Sequence, residues 1–482
     1  MNKLVKNELV KIFAKKSMIV MTVLIIVFVI GYNILNKKGQ EASSSYSAYS
    51  NSYISYLEEE LKSLDVNNPT DLNNYVETKS ELDVAKLGNK YKDISWQSDV
   101  IQRFISPLIT EINNYEYLEK DDKKLAETKK EYDEMIKALD NDWRYFASKE
   151  LEEKNTSIDE LNKMLEADKE NEDIKNQLQN LNFQKKIIIL RLEKDIPYGA
   201  ETYKSQAMQN YETFMTNYNG YAQDKNITNE EKLEMNNYLQ KANLYKYDIE
   251  NGTEYQNTLT ANYALQNSMS TYIVVVVLIV VIIAGVMISE EFNKGTIKLL
   301  LVRPYSRTKI LLSKLIAVFI TMIITTIFVT LLQLVVGGFV YGFGTYFMNV
   351  VQFDLVSNSI VVMNMFAYLG LIFVCKLPIL ILIGTLAFAL SALSLNSPLA
   401  IALPIFGYMG SEMINLVALS YGWNWIKYFV TPNWDLSQYL FGGSPMFSNM
   451  SVEFSITICA IYFVIMLVAS IITFKKRNIK NV

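Results

Sequence analysis

The sequence predicts an all-α polytopic membrane protein, with six transmembrane helices and a large extracellular helical domain built around a coiled-coil hairpin. Three observations carry this. Half of the 482 residues are hydrophobic and a fifth are charged, yet the apolar residues fall in blocks, near the start and through most of the second half. The net charge of −4 conceals 43 acidic and 27 basic residues between Gly39 and Ser270, against 7 acidic and 19 basic in the remainder. That asymmetry signals two environments. Finally, three lysine-rich clusters flank the apolar blocks on what a six-span topology makes a single side, and the positive-inside rule assigns that side to the cytoplasm.

Some classes are disfavoured at once. The chain has no histidine, which argues against zinc or haem ligation and against a histidine-based triad. Cys375 and Cys459 both sit in apolar runs, so no disulfide framework is available. Nothing in the acidic part points to nucleic acid.

Taken in order, residues 1–16 read as a cytoplasmic amphipathic helix carrying Lys3, Lys6, Lys11, Lys15 and Lys16. Residues 17–35 form the first span, its apolar run extending from Met18 to Leu35. A cleaved signal peptide is the other reading of this end, but the apolar run is long and no A-x-A site follows. Residues 36–270 form the extracellular domain. Residues 271–474 hold spans two to six, since a bilayer core needs about 20 apolar helical residues per crossing. The runs are Thr271 to Ser289, Leu315 to Gly337, Phe366 to Leu390, Pro398 to Leu419 and Phe454 to Phe474. Residues 475–482 form a basic cytoplasmic tail with Lys475, Lys476, Arg477 and Lys480. The protein is expected in the plasma membrane with both termini inside.

Within the external domain, Leu118, Leu125, Tyr132, Leu139 and Phe146 recur every seven residues, the seam of one long helix. Asn155-Thr156 then interrupts the pattern, and Ser157-Ile158-Asp159-Glu160 reads as a capping box opening the return helix. Ile158, Leu161, Leu165, Ile174, Leu178, Leu181, Ile188 and Leu192 continue it to a stop near Pro197. Such an antiparallel hairpin would reach on the order of 50 to 60 Å. Thr228-Asn229-Glu230-Glu231 caps a further helix that stops near Gly252. Glu41 to Ser55 reads as a flexible lead-in. Twenty tyrosines lie between Gly39 and Ser270, but no residue there stands out as a binding site.

The cytoplasmic loop 289–314 is the most informative segment. Gly295 permits a turn, and Thr296 can cap a two-turn helix. In that helix Leu299 and Leu300 stand among cations, and Pro304 disfavours helix at Arg303. Ser306 can cap the next span. The order of Glu291, Gly295-Thr296, Leu299-Leu300, Pro304, Ser306-Arg307 and Lys314 resembles the membrane subunits of ABC type-2 exporters. The basic amino-terminal helix, the six spans and the Lys-Lys-Arg tail extend the likeness. The large domain after the first span departs from the compact members of that family.

The resemblance implies a permease that is not itself an enzyme. The segment from Gly295 to Pro304 would be a coupling helix seated on a separate ABC ATPase subunit. Glu290, Glu291, Gly295, Thr296, Leu299, Leu300, Arg303, Pro304 and Arg307 would form the coupling surface. ATP and Mg would reside on that partner, since no G-x-x-x-x-G-K-[ST] loop occurs here and no cofactor is expected on this chain. A second permease copy or paralogue would complete the transporter. The expected cargo is amphiphilic or hydrophobic: a peptide antibiotic, a drug or a lipid-like molecule. The alternative is an ATP-driven transducer or sensor whose external arm acts on an envelope partner without flux. A basic connector that only satisfies positive-inside is a third reading of the loop.

Two further features concern the outer half of the membrane. Trp423, Trp425 and Trp434, with Tyr421, Tyr428 and Tyr439, place amphipathic rings after the fifth span. They predict interfacial, short or re-entrant helices there. Lys376 in the fourth span and Glu412 in the fifth are ionisable residues within apolar runs, which usually face an interior or a cavity. Each is 15 residues from its end of the intervening turn. At equal rise they lie at one depth, where they pair or jointly line a path between subunits. The plainer possibility is that Lys376 snorkels to the outer interface and Glu412 is protonated or lies near the surface.

Overall fold

The computed structural model describes residues 1–43, 49–91, 93–224, 226–297 and 305–477. It divides into two compact units. One comprises Met1–Lys37, Asn226–Gln240 and Asn257–Val482, and the other Lys38–Lys225 and Lys241–Gln256.

In the first unit, six helices among the described residues are long and apolar enough to cross a membrane: Lys16–Gln40, Ser268–Asn293, Arg307–Tyr341, Met365–Ser394, Ser397–Ser420 and Val452–Lys476. All six expected spans are present, each longer than its apolar run. Hydropathy reads only the apolar middle, whereas the helix starts where a polar side chain satisfies its first amides. Ser306 Oγ accepts from Lys309 N at 3.4 Å, Asn364 Oδ1 from Phe366 N at 2.9 Å, Asn396 Oδ1 from Leu399 N at 3.2 Å and Ser451 Oγ from Phe454 N at 3.2 Å.

The second span is the core of this unit. Its Val276, Val277, Val280, Val281, Ile283 and Ala284 are buried, and it packs on spans three, four and five. Small residues permit the close approach. A Cβ on Gly384 of the fourth span would lie 2.9 Å from Val280 Cγ1, and one on Gly285 would lie 2.7 Å from Ile401 Cγ1 and 3.2 Å from the Ala400 backbone. A buried polar node ties the first three spans together, where apolar packing alone would leave register loose. Asn33 Nδ2 donates to Gln333 Oε1 at 2.8 Å, Gln333 Nε2 returns a bond to Asn33 Oδ1 at 3.0 Å, and Tyr272 OH donates to Gln333 Oε1 at 2.7 Å. The outer faces are apolar and exposed, as Val23 and Val27, Phe406 and Met413, and Val464 and Ile465 illustrate.

One element departs from an all-α reading. Between spans three and four, Val350–Asp354 and Ser359–Met363 form an antiparallel β-hairpin, with Val350 opposite Met363 and Asp354 opposite Ser359. Its β-branched residues favour strand. Asp354 Oδ1 closes the turn by accepting from the amides of Val356 and Ser357 at 2.9 and 2.8 Å, and Asn358 takes a positive φ of 50°. Between spans five and six the chain forms two short 3-10 turns, Asn424–Tyr428 and Leu436–Gly442. Trp423, Trp425, Tyr421 and Tyr428 are exposed, while Trp434 is buried. Asn433 pins this loop to the sixth span, its Oδ1 accepting from Ser455 Oγ at 2.7 Å.

The second unit is helical and has its own core of Ile101, Ile105, Met135, Leu139, Trp143, Phe146 and Tyr198. The hairpin expected about Asn155-Thr156 is not formed; the adjacent packed helices are Trp143–Ala167 and Glu172–Glu193, joined at 168–171. Each arm is therefore nearer about 35 Å than the reach expected from sequence. The heptad seam from Leu118 to Phe146 does not lie on one helix. It is cut after Glu119, where Lys120 is left-handed at φ 53°, and again at Asp140–Asp142, where Asp142 caps the next helix through Arg144 N at 3.0 Å. Conversely, Asn155-Thr156 is no interruption, because Thr156 Oγ1 bonds Glu152 O within a continuous helix at 3.0 Å. The real start of the return arm is Asn171, whose Oδ1 accepts from Ile174 N at 3.1 Å.

The box at Thr228 forms as expected. Glu231 N donates to Thr228 Oγ1 at 3.2 Å and Thr228 N to Glu231 Oε2 at 2.6 Å, and the helix ends at Asn251 before Gly252 at φ 65°. Part of the expected flexible lead-in, Glu41 to Ser55, is helical, and residues 44–48 of it lie outside the described residues. The first-span helix continues to Ser43, and Asn51–Ser63 is already helical behind its cap Ser50.

Candidate functional site

The amino-terminal helix Asn2–Phe13 buries Leu4, Val5, Glu8 and Ile12. These residues share one face by their three- and four-residue spacing. Glu8 is the anomaly on that face, and a carboxylate is buried only when paired. Its partner is Lys314, two turns into the third span and 1% exposed. Lys314 Nζ lies 2.8 Å from Glu8 Oε2 and 2.7 Å from Glu291 Oε1 at the end of the second span. Lys11 Nζ adds a second bridge, 3.1 Å from both Glu8 Oε1 and Glu291 Oε1. Glu290 pairs with Lys15 and, at 2.6 Å, with Lys294.

Three carboxylates and four lysines thus join three segments that are distant in sequence. Burial alone would raise the Glu8 carboxyl, but Lys314 and then Lys11 outweigh it and hold it below the usual range. For Lys11, burial would lower the ammonium, and Glu291 and Glu8 outweigh that and raise it. A cleft of about 330 Å³ opens beside the network, lined by Ala14, Val286, Met287 and Thr296 among others.

Around the expected coupling segment, Gly295 adopts φ 68° with nothing within 4 Å of a would-be Cβ, so it is the backbone turn that calls for glycine. Thr296 Oγ1 turns back to Glu291 O at 3.3 Å. Leu299, Leu300, Arg303 and Pro304 lie outside the described residues. Arg307 reaches the end of the sixth span. Its Nη1 donates to Lys475 O and Arg477 O at 2.9 and 3.0 Å, satisfying carbonyls left open at the end of the sixth span. Arg477 in turn donates to Ala392 O at 2.6 Å and Leu393 O at 3.1 Å at the end of the fourth. Ser391 Oγ accepts from Ser289 N at 3.0 Å, and Ser289 and Ser397 share a 2.6 Å hydroxyl contact.

At the other end of the second span, Lys376 is nine-tenths buried. It does not pair with Glu412. Its Nζ lies 2.5 Å from Asp435 Oδ2, a residue of the loop before the sixth span. Lys376, Glu412 and Asp435 nevertheless line one cavity of about 410 Å³.

The family model described as a protein of unknown function (DUF2705) matches residues 236–480, just over half of the chain. The chain belongs to the DUF2705 family. It is 31% identical over 225 residues to the uncharacterized protein YhcI of Bacillus subtilis (strain 168), covering 46% of this chain and 68% of that relative. It is 28% identical over 199 residues to the uncharacterized membrane protein YdbK of the same organism, covering 41% of this chain and 75% of the relative. No solved structure matches. The DUF2705 match takes in Glu290, Glu291, Lys314, Lys376, Glu412 and Asp435 but begins well after Glu8, Lys11 and Lys15.

Proposed function

We propose that this chain is the membrane-spanning permease of an ATP-driven ABC exporter, carrying an amphiphilic or hydrophobic compound across the plasma membrane. The observation that supports this best is the buried Lys314 joined to Glu8 and Glu291. It ties the amino-terminal helix, the end of the second span and the start of the third together beside the turn at Gly295. A push on the 295–304 segment by a docked ATPase would then move membrane helices and would not be lost in a loose connector. In this reading the lysine-rich end is cytoplasmic, both termini are inside, and the second unit lies outside with its hairpin as an arm. ATP and Mg belong to a separate ABC ATPase subunit, and a second permease completes the transporter.

The test is affinity purification of the full chain from its native membrane. An ABC ATPase should come down with it, and its hydrolysis should rise with transported compound. Recovery of the chain without any ATPase overturns the reading.

One observation favours a second reading, in which the protein is an ATP-driven transducer. The second unit has a core of its own and lies almost wholly outside the DUF2705 match, more structure than a conduit requires. ATP-dependent movement of the hairpin without flux in sealed vesicles would select it.

A further inference from the structure

The cavity around Lys376 is walled by residues of the second, fourth and fifth spans and of the loop before the sixth. Its charged groups are one lysine and two carboxylates, Lys376, Asp435 and Glu412. The lysine is consumed. It is buried, and its ammonium is held by Asp435, whose other oxygen accepts from Ser437 N at 3.0 Å and Ser437 Oγ at 2.5 Å. Glu412 has no ion pair among the described residues and is exposed on the fifth span, so the cavity carries an unbalanced negative charge. Tyr408 and Trp434 both line it, with ring centroids 6.1 Å apart. Polar groups that could retain water around a charged guest are present as well, including Asn415, whose Oδ1 accepts from Thr431 Oγ1 at 2.9 Å.

We infer that this cavity binds a lipophilic organic cation, its ammonium against Glu412 and the rings of Tyr408 and Trp434 and its apolar body among Ile273, Val274 and Ile379. Each alternative guest meets an obstacle. An anion would have to displace Asp435 from Lys376 and would then face Glu412. A neutral apolar molecule would leave an intramembrane carboxylate unpaired, the costly arrangement that a cation relieves. Aromatic rings add attraction for a cation that they do not offer an anion. The volume is that of a small-molecule pocket. As a substrate subsite the cavity rests on the export reading above; as a binding site it does not.

The experiment uses the purified full-length chain in dodecyl maltoside micelles, without ATP or partner. Equilibrium dialysis is run against benzyltrimethylammonium and, as a probe of opposite charge, benzenesulfonate. Saturable binding of the cation and none of the anion is expected. Glu412→Gln, at an exposed position that should not disturb folding, is expected to weaken the cation about tenfold, and Tyr408→Leu several-fold. Equal binding of both probes, or wild-type affinity in Glu412→Gln, overturns the inference. Displacement by short-chain phosphatidylcholine but not by phosphatidylglycerol would identify the natural guest as a lipid headgroup, and displacement by neither as a soluble amphiphile. Both outcomes uphold the cation site. Loss of cation binding alongside a co-purifying, stimulated ATPase would sink the site and spare the export reading, and the converse result would do the reverse.

Discussion

Lys314 shows what a single buried charge does when two carboxylates share it. Removing the ammonium leaves Glu8 and Glu291 facing each other without compensation, a loss of about 3–5 kcal/mol for broken buried pairs. Lys314→Met is therefore expected to release the amino-terminal helix, read as new protease cleavage before Lys16. Adding Glu8→Gln to Lys314→Met should restore much of the protection, whereas additive damage would show that the two residues do not interact. The sign of the pH response follows from the two shifted groups. Glu8 is lowered from 4.5, so its contribution is present above that value and is lost as pH falls through its lower folded pKa. Lys11 is raised from 10.5, so its contribution is present below that value and is lost as pH rises through its higher folded pKa. Docking of the helix should thus be flat from about pH 5 to 10, and cleavage that rises near pH 7 would contradict the network. Lys314 was legible as part of a recognisable order of residues, but its partner Glu8 was not. The signal was there, since Glu8 shares the face of Leu4, Val5 and Ile12, but a charge in a lysine-rich helix reads as part of its wet side. Lys376 gives the complementary case. Equal depth along two helices put it beside Glu412, and the two do line one cavity, but its ion-pair partner Asp435 comes from a loop, where counting along helices has no purchase. A Lys376→Met and Asp435→Asn cycle should accordingly show coupling in thermal unfolding. A cycle with Glu412→Gln in place of the aspartate change should be close to additive.

For whole elements, apolar length located every span, because twenty apolar residues in sequence admit little else in a membrane protein. Helix boundaries in the polar unit were harder, and two sites show why. Ser157-Ile158-Asp159-Glu160 has the letters of a capping box, yet it follows the helix-favouring run Glu150-Leu151-Glu152-Glu153-Lys154 and stays inside a helix. A box starts a helix only where the preceding backbone has left one. Asn171 is the working cap. Asn171→Ala should cost about 1 kcal/mol, seen as faster amide exchange at 172–176, while Ser157→Ala should change little. The β-hairpin went unread because its strands are short and a hydropathy reading absorbs them into an apolar loop. Span contacts were also invisible in sequence, since a glycine in an apolar run does not announce its neighbour. Gly285 faces Ile401 and the Ala400 backbone, whereas Gly407 faces open space. Gly285→Val should overpack spans two and five at about 1–3 kcal/mol and lower the thermal midpoint. Gly407→Ala should leave it unchanged, and equal effects from the two substitutions would remove the close-approach argument.

Across the molecule, the second span links the two charged sites. Glu291 lies at one end in the lysine network and Val274 lines the cavity toward the other, roughly 25 Å apart at 1.5 Å per residue, along the helix Ser268–Val286 and, after a turn at Met287–Ile288, the short helix Ser289–Asn293. The span is buried on most sides and held at both ends, by Glu291 with Lys314 and by Tyr272 with Gln333. Displacement at the Gly295 turn therefore reaches Ser289–Asn293 first and passes to the rest of the span through the turn at Met287–Ile288, where Ser391 Oγ accepts from the amides of Ile288 and Ser289 at 3.3 and 3.0 Å. This sets out what the Gly295–Pro304 segment must do if an ATPase acts on it. Replacing Leu299 and Leu300 with Asp removes the apolar contact a partner would grip, while the segment's place between two spans leaves membrane insertion untouched. The double substitution is expected to give normal amounts of membrane-inserted chain, an intact amino-terminal helix by the protease assay above, and cation binding in micelles at wild-type strength. In the reconstituted complex, however, the ATPase should no longer respond to transported compound. Unchanged stimulation and unchanged transport in that variant would remove the segment from the coupling path and leave the lysine network as a purely structural brace.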